Sequence, residues 1–136
     1  MKAGGTKNPI TEEGIEAREQ YIRMKGQEVF KFAVNALPKS TNEALAKADM
    51  TSEDIDLVVP HQANIRIIES ASKKLGIPVE KFYVNLNKYG NTSAASIGIA
   101  LEEAYAKGLV KKGDNIAMTG FGGGLTFGSL IMKWAY

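Results

Sequence analysis

The segment that decides the fold is Leu57–Leu75, with the sequence LVVPHQANIRIIESASKKL. Its first four residues, Leu57-Val-Val-Pro, are uniformly apolar and rich in β-branched side chains, which is typical of a strand buried on both faces. From Asn64 to Leu75 apolar side chains recur at helical spacing, and Gly76 stands where a helix commonly ends. A buried strand followed by an amphipathic helix predicts an α/β layered domain.

Upstream of this segment, the sequence predicts a long amphipathic helix from about residue 26 to residue 48. Pro38 lies inside it, and because proline removes a helix donor and crowds the preceding turn, we expect a kink or a break within Ala36–Lys39. Nearer the N-terminus, the acidic pair after Thr11 suits a short helix start. Residues 1–10 contain paired glycines and an Asn-Pro step, which predict a loop.

Downstream, Lys81–Asn85 is predicted to be a second buried strand. The small side chains after Thr92 predict a helix to Lys107 that packs closely, buried between layers. Two final strands, Asn115–Thr119 and Thr126–Trp134, are predicted to form an antiparallel hairpin across the intervening glycines. The fold class is therefore α/β with a mixed β-sheet packed with helices.

The composition restricts the classes of function. With 136 residues, 44% hydrophobic and 24% charged, the chain matches one globular domain. A net charge of +2 predicts no nucleic-acid binding. The chain has no cysteine and a single histidine, so it can supply neither a thiolate nucleophile nor a thiolate metal site, and we expect no metal. No apolar run is long enough for a membrane span, so no membrane contact and a cytoplasmic location are expected.

Several polar residues could serve chemistry or merely structure. His61 follows the first strand, at the sheet edge where α/β folds place functional groups, but it could equally be satisfied by local hydrogen bonds. Asn64 and Asn91 each precede a predicted helix, where asparagine commonly caps the backbone. The triple glycine Gly122–Gly124 could present N–H groups to an anion or only reverse the chain. Lys73 and Lys74 suit the C-terminal dipole of their helix.

Three segments considered together carry a specific resemblance. They are Pro60-His-Gln-Ala-Asn-Ile-Arg-Ile-Ile, Gly90-Asn-Thr-Ser-Ala-Ala-Ser and Gly120-Phe-Gly-Gly-Gly-Leu-Thr-Phe-Gly-Ser. In order and spacing they resemble the signature segments of β-ketoacyl-(acyl carrier protein) synthase III. The segment from Met24 resembles the substrate-tunnel helix of that family. The resemblance runs from about Lys2 to Trp134 and implies the C-terminal half of a thiolase-like fold, with residues 11–136 as the domain and residues 1–10 as a remnant of an upstream region.

The resemblance implies a reaction and a set of site residues. Members of the family condense an acyl-coenzyme A with malonyl-(acyl carrier protein), and a cysteine carries the acyl group. His61 and Asn91 would complete the Cys-His-Asn site, and the backbone of Gly123 would bind an oxyanion. The implied substrate-channel residues are Met24, Gly26, Phe30, Asn64 and Phe121. The implied carrier-protein surface comprises Lys31, Gln62, Ala63, Asn64, Ile65, Arg66, Lys73 and Lys74. No cofactor is implied, because coenzyme A and the phosphopantetheine arm are substrates.

Because the nucleophilic cysteine lies in the N-terminal half of such enzymes, we expect this chain to be inactive alone and to need that half as a partner. The first strand of the C-terminal half is also missing; it is expected to be central to the sheet, so we predict association rather than a stable monomer. A homodimer is expected for the full-length form. Two alternatives stay open: a non-catalytic module that binds acyl carrier protein or coenzyme A, and a related synthase of specialised metabolism.

Overall fold

The apolar run Leu57–Pro60 forms strand β1, and all four of its residues are buried. In the computed structural model, which describes residues 2–136, β1 pairs in parallel with β2, Asn115–Gly122. Strand β2 then pairs antiparallel with β3, Thr126–Lys133, across a short glycine turn. The sheet is therefore mixed, as the sequence predicts, and its strand order is β1-β2-β3.

The side chains of β1 alternate between two hydrophobic cores, one on each face of the sheet. Val58 belongs to the core formed with the helices Gly26–Lys47 and Ile65–Leu75. Leu57 and Val59 point to the opposite core, which includes Ala100 and Ala104 of a third helix. Because both faces of the strand are covered, its sequence can be apolar throughout, and this accounts for its lack of a polar alternation.

The helices before and after β1 begin and end with recognisable capping groups. Helix α1, Glu12–Glu16, starts at Thr11, whose hydroxyl accepts a hydrogen bond from Gly14 N at 3.0 Å. Helix α2 spans Gly26–Lys47. Helix α3, Ile65–Leu75, starts at Asn64, whose Oδ1 accepts from Arg66 N at 2.9 Å, and ends at Gly76 in the left-handed conformation with φ of 67°. Asn64 therefore caps α3, and Gly76 ends it, as predicted.

Pro38 does not break α2, contrary to one of the two predicted outcomes, since the helix continues from Gly26 to Lys47. Proline has no N–H, so it leaves the Val34 carbonyl without its helical donor. The Nζ atom of Lys74, from α3, donates to that carbonyl at 2.9 Å and to Asn35 Oδ1 at 2.6 Å. A side chain from the neighbouring helix thus replaces the hydrogen bond that Pro38 removes.

The predicted strand Lys81–Asn85 is wrong. Residues 79–81 form a 3₁₀ turn, and only Phe82 makes a bridge, parallel to Val58 of β1. The apolar character of this segment arises because Phe82 and Tyr83 are buried on opposite faces of the sheet, in the two separate cores. Burial, rather than strand pairing, produced the pattern.

The last two helices are α4, Leu86–Tyr89, and α5, Ala95–Ala106. The predicted start at Thr92 is wrong, because Ser93 has φ of 54° and lies in a turn before α5. The prediction that this helix is buried between layers is also wrong for the described residues. Ser96, Ala100, Glu103 and Ala104 are buried, whereas Ala95 and Gly98 are exposed. One side of α5 covers the sheet, and its small residues on the other side face outward.

The sheet has no gap at its centre. Because β1, β2 and β3 pair consecutively, the prediction that the missing strand lies at the centre of the sheet is wrong. Among residues 2–136, the outer edge of β3 has no strand partner, so this edge is open to pairing with a further strand. Residues 2–10 form a loop with one isolated bridge between Gly5 and Asn8; Met1, also predicted as loop, lies outside the described residues. Among residues 2–136, no helix has the length and apolar character to cross a membrane.

Candidate active site

His61 lies directly after β1, at the end of the sheet where β2 approaches its glycine turn. Its backbone N–H donates to Thr119 O of β2 at 2.8 Å, which extends the strand pairing by one residue. Its ring contacts that of Phe121 edge to face, with 5.4 Å between centroids. The Nδ1 atom lies 2.6 Å from Ser96 Oγ, in the first turn of α5. Three elements therefore hold the imidazole.

Burial lowers the pKa of His61 below its usual value, and it is the single identified cause of the shift. A half-buried imidazole with no anionic partner favours the neutral form. Its Nε2 atom makes no hydrogen bond to any of residues 2–136, so it remains free to bind a ligand.

Asn91 stands before α5 but does not cap it, which corrects one alternative from the sequence. The N-cap of α5 is Ala94, which provides no side-chain hydrogen bond. Asn91 Oδ1 instead accepts from Ser93 N at 3.0 Å, closing a local turn. This bond fixes the orientation of the amide, and the Nδ2 donor stays unpaired within the described part of the chain. The side chain is exposed and can present that N–H to a ligand.

The glycines around the β2–β3 turn are required for different reasons. A Cβ atom on Gly120 would lie 3.3 Å from Ile97 Cδ1 and 3.7 Å from His61 Cβ, so this glycine lets β2 approach the histidine closely. Gly124 has φ of +153°, and a Cβ there would lie 2.8 Å from Thr126 Cγ2. A Cβ on Gly123 would meet nothing within 4 Å, so its backbone is open to a small ligand group.

Gln62 is a correction to the predicted carrier-protein surface, because its side chain is 1% exposed. Its Nε2 donates to Pro60 O at 2.9 Å and to Tyr83 O at 3.0 Å. Its Oε1 accepts from Asn85 N at 3.0 Å. With its amide fully used inside the protein, Gln62 fastens the segment after β1 to residues 83–85 and is not available on the surface.

The other predicted carrier-protein residues differ in their surroundings. Arg66 is exposed and stacks on Phe30 with 5.5 Å between its Cζ atom and the ring centroid, which limits the motion of the guanidinium. Ile65 is 41% exposed, and Ala63 is half-buried beside His61. Lys31 and Lys73 are exposed, whereas the Nζ atom of Lys74 is already engaged with α2. Arg66 and Phe30 therefore join α3 to α2 at one place on this surface.

The predicted channel residues lie on the segments around this surface. Met24 is 70% exposed ahead of α2, and Gly26 is the first residue of that helix. Phe30 is half-buried under Arg66, Asn64 caps α3, and Phe121 contacts His61.

Sequence reasoning missed Ser96, which is 2% exposed and contacts the histidine ring. It belongs to the segment Gly90–Ser96, but its pairing with a residue 35 positions earlier depends on the packing of α5 against β1. A serine in the first turn of a helix carries no local signal for such a contact.

Comparison with known proteins identifies the family. Residues 45–134 match the family described as 3-oxoacyl-(acyl-carrier-protein) synthase III C terminal. The β-ketoacyl-(acyl carrier protein) synthase III of Fusobacterium nucleatum is 66% identical over all 136 residues, and the chain spans 42% of that relative's length.

Solved structures give the same result. The 3-oxoacyl-(acyl-carrier-protein) synthase III of Aquifex aeolicus superposes with a TM-score of 0.82 at 55% identity, over 84% of this chain and 37% of that one. A second structure with the same description superposes with a TM-score of 0.88 at 30% identity, over 98% of this chain and 42% of that one. The thiolase-like fold predicted from the resemblance is therefore confirmed, and the chain belongs to the 3-oxoacyl-(acyl-carrier-protein) synthase III family, of which it carries the C-terminal half.

Proposed function

We propose that this chain is the C-terminal part of the catalytic machinery of a synthase that condenses an acyl-coenzyme A with malonyl-(acyl carrier protein). The observation that carries the proposal is His61, held by Thr119 O and Ser96 Oγ with its Nε2 atom free. The names of its relatives, which are synthases acting with an acyl carrier protein, supply the substrate class.

The proposed chemistry begins with decarboxylation of the malonyl thioester. The bond to the carboxylate breaks, carbon dioxide leaves, and the electron pair forms an enolate whose charge collects on the thioester oxygen. Donors from His61 and Asn91 stabilise that oxygen in a partly buried site, where such bonds are stronger than in water. Both side chains offer an unpaired nitrogen for this role among the described residues.

The enolate carbon then attacks the carbonyl carbon of an acyl group bound to a cysteine. The new carbon–carbon bond forms, and the bond to sulfur breaks with loss of the cysteine thiolate. The open backbone at Gly123 is proposed to donate to the oxyanion formed on the acyl carbonyl. The chain has no cysteine, so the nucleophile must come from a further segment, and the chain alone is proposed to be inactive.

The carrier protein is proposed to approach the surface formed by α2 and α3, where Arg66 is held on Phe30. A guanidinium can bind a phosphate with two hydrogen bonds, which suits a phosphopantetheine arm. Lys31 and Lys73 add positive charge that raises the encounter rate with an acidic partner. Met24, Gly26 and Asn64 line the proposed path from this surface toward His61.

The test compares this chain alone with the chain joined to the upstream part of its Fusobacterium nucleatum relative, using acetyl-coenzyme A, malonyl-(acyl carrier protein) and mass analysis of the product. We expect product only from the joined protein and none from this chain by itself. In that protein, His61→Ala and Asn91→Ala should each lower the condensation rate by about 10²–10³-fold. A folded joined protein that binds the carrier protein without forming product would instead favour a binding module and overturn the proposal.

A further inference from the structure

The histidine ring has a partner that its family assignment does not specify. Ser96 is 2% exposed, and its Oγ lies 2.6 Å from His61 Nδ1. This short contact joins the residue after β1 to the first turn of α5. Two directions are chemically open, because either the hydroxyl or the ring nitrogen could donate the proton.

The remaining contacts of Ser96 decide the direction. Its Oγ also accepts the backbone N–H of Gln62 at 3.3 Å, so one of its lone pairs is occupied. Its single O–H needs an acceptor, because a buried hydroxyl proton without one is costly. No other side-chain or backbone acceptor is hydrogen-bonded to Ser96 Oγ among residues 2–136. The ring nitrogen is therefore the acceptor.

We propose that Ser96 is a positioning residue that donates its hydroxyl proton to His61 Nδ1 and so fixes the neutral ring with its proton on Nε2. The value of this arrangement for condensation depends on the proposed function, in which Nε2–H is a donor to the thioester oxygen. With Nδ1 protonated instead, Nε2 would be an acceptor and would repel that oxygen. The hydroxyl thus determines which nitrogen can act as a donor.

The surroundings of the ring add no competing charge. Thr119 contributes a backbone carbonyl, Phe121 an aromatic ring, and Gly120 a close backbone. Burial, and no ionised neighbour, is the cause that lowers the pKa of His61. The tautomer is consequently set by Ser96, the one group hydrogen-bonded to the ring within the described residues.

The experiment uses the fact that His61 is the only histidine. In a chain labelled with ¹⁵N-histidine, two-dimensional proton–nitrogen spectra report one imidazole and show which nitrogen carries the proton. We expect Nε2 to be protonated and Nδ1 to be an acceptor at pH above the His61 pKa. A proton on Nδ1 in the unmodified chain would overturn the proposal.

Variants separate positioning from a purely structural role. Ser96→Ala should give a mixture of the two neutral tautomers, because Nδ1 then has no hydroxyl donor and can itself carry the ring proton. Ser96→Thr keeps the hydroxyl and should restore the Nε2–H form. Ser72→Ala is the matched control, since Ser72 is also a buried helical serine, but it donates to Ile77 O at 2.7 Å; it should leave the histidine spectrum unchanged.

The spectra do not depend on activity, so the two proposals fail separately. If the tautomer follows Ser96 while the joined protein makes no product, the proposed function is wrong and the positioning role stands. If the joined protein is active and Ser96→Ala, folded and with an unchanged tautomer, keeps the full rate, the positioning role is wrong and the function stands.

Discussion

Among individual residues, the neighbouring glycines of the β2–β3 turn have opposite requirements. Gly124 has φ of +153°, and a methyl group there would meet Thr126 Cγ2 at 2.8 Å and Thr126 N at 3.2 Å. A backbone atom cannot move aside as a flexible side chain can. A Cβ atom on Gly123 would meet nothing within 4 Å, so packing does not require a glycine here. The absence of a side chain instead leaves the backbone accessible to a ligand.

Gly124→Ala should therefore lower the free energy of unfolding by about 1 kcal/mol or more, because alanine is strained in this conformation. Gly123→Ala is the matched control and should change stability little, while its methyl group narrows the site in the joined protein. Urea unfolding followed by fluorescence of Trp134, the single tryptophan, measures both. Equal losses in the two variants would contradict this account of the turn.

At the same scale, sequence reasoning could locate His61 and Asn91 but not the contacts that orient them. Proximity to a strand end and to a helix start is readable from the sequence. The Asx-type turn at Asn91 and the hydroxyl of Ser96 depend on a backbone with positive φ at Ser93 and on how α5 packs. The family resemblance placed Gln62 on the carrier-protein surface, yet its amide satisfies three backbone groups in the interior.

Among elements, α2 and α3 are joined by a bond that proline makes necessary. Pro38 leaves the Val34 carbonyl without a helical donor, and Lys74 donates to it across the helix interface. The predicted break did not occur because α2 is held on both sides of Pro38 by packing, with Ala33, Leu37 and Leu45 in the core. The position of the lost helical hydrogen bond is predictable from Pro38 itself, whereas the replacement donor is a residue 40 positions away from the carbonyl in sequence.

Lys74→Met should destabilise the chain by about 0.5–1.5 kcal/mol, the usual net contribution of such a hydrogen bond. In a Pro38→Ala background the effect should be smaller, because alanine supplies the missing N–H to Val34 O. A double-mutant cycle measured by urea unfolding isolates this coupling from the volume lost at Pro38. Lys73→Met is the control with an exposed lysine, and additive losses in the cycle would refute the coupling.

Helix α5 is joined to α4 and its preceding segment through a carboxylate. Glu103, with a side chain 10% exposed, accepts from Lys88 Nζ and Asn85 Nδ2, each at 2.8 Å. The hydrogen bond from Lys88, followed by that from Asn85, lowers the pKa of Glu103 to about 2. Lys107 also lies 3.3 Å from the carboxylate, so two cations and an amide surround it.

Because the folded state holds the Glu103 proton less tightly than the unfolded state, this group stabilises the fold above its ordinary pKa of 4.5, and the stabilisation is lost as pH falls from 4.5 toward 2. Glu103→Gln should lower the free energy of unfolding at neutral pH. In this variant, the free energy of unfolding should also fall less steeply between pH 4.5 and pH 2. Glu102→Gln, at the exposed neighbouring position, should keep the original slope. Urea unfolding at several pH values measures the slopes, and identical slopes for both variants would rule out this role for Glu103.

In the whole molecule, the sequence allowed prediction of a mixed α/β sheet but not of where it is open. The order of strands in a sheet depends on pairings between distant segments, so the resemblance alone placed the missing strand wrongly at the centre. The consecutive pairing of β1, β2 and β3 leaves the outer edge of β3 without a strand partner within residues 2–136. Phe127 and Leu130, on that strand, are 41% and 49% exposed.

An eight-residue edge with free backbone groups and exposed apolar side chains is a template for pairing with another chain. We therefore expect the isolated chain to associate, with a mass that rises with concentration in size-exclusion chromatography with light scattering. Leu130→Lys places a charge on this edge and should shift the chain toward monomer. Leu109→Lys is the control, because Leu109 is 52% exposed but lies outside β3, in the loop that follows α5. A folded monomer at all concentrations would show that the β3 edge is tolerated without a partner, and an equal effect of both lysines would place the contact elsewhere.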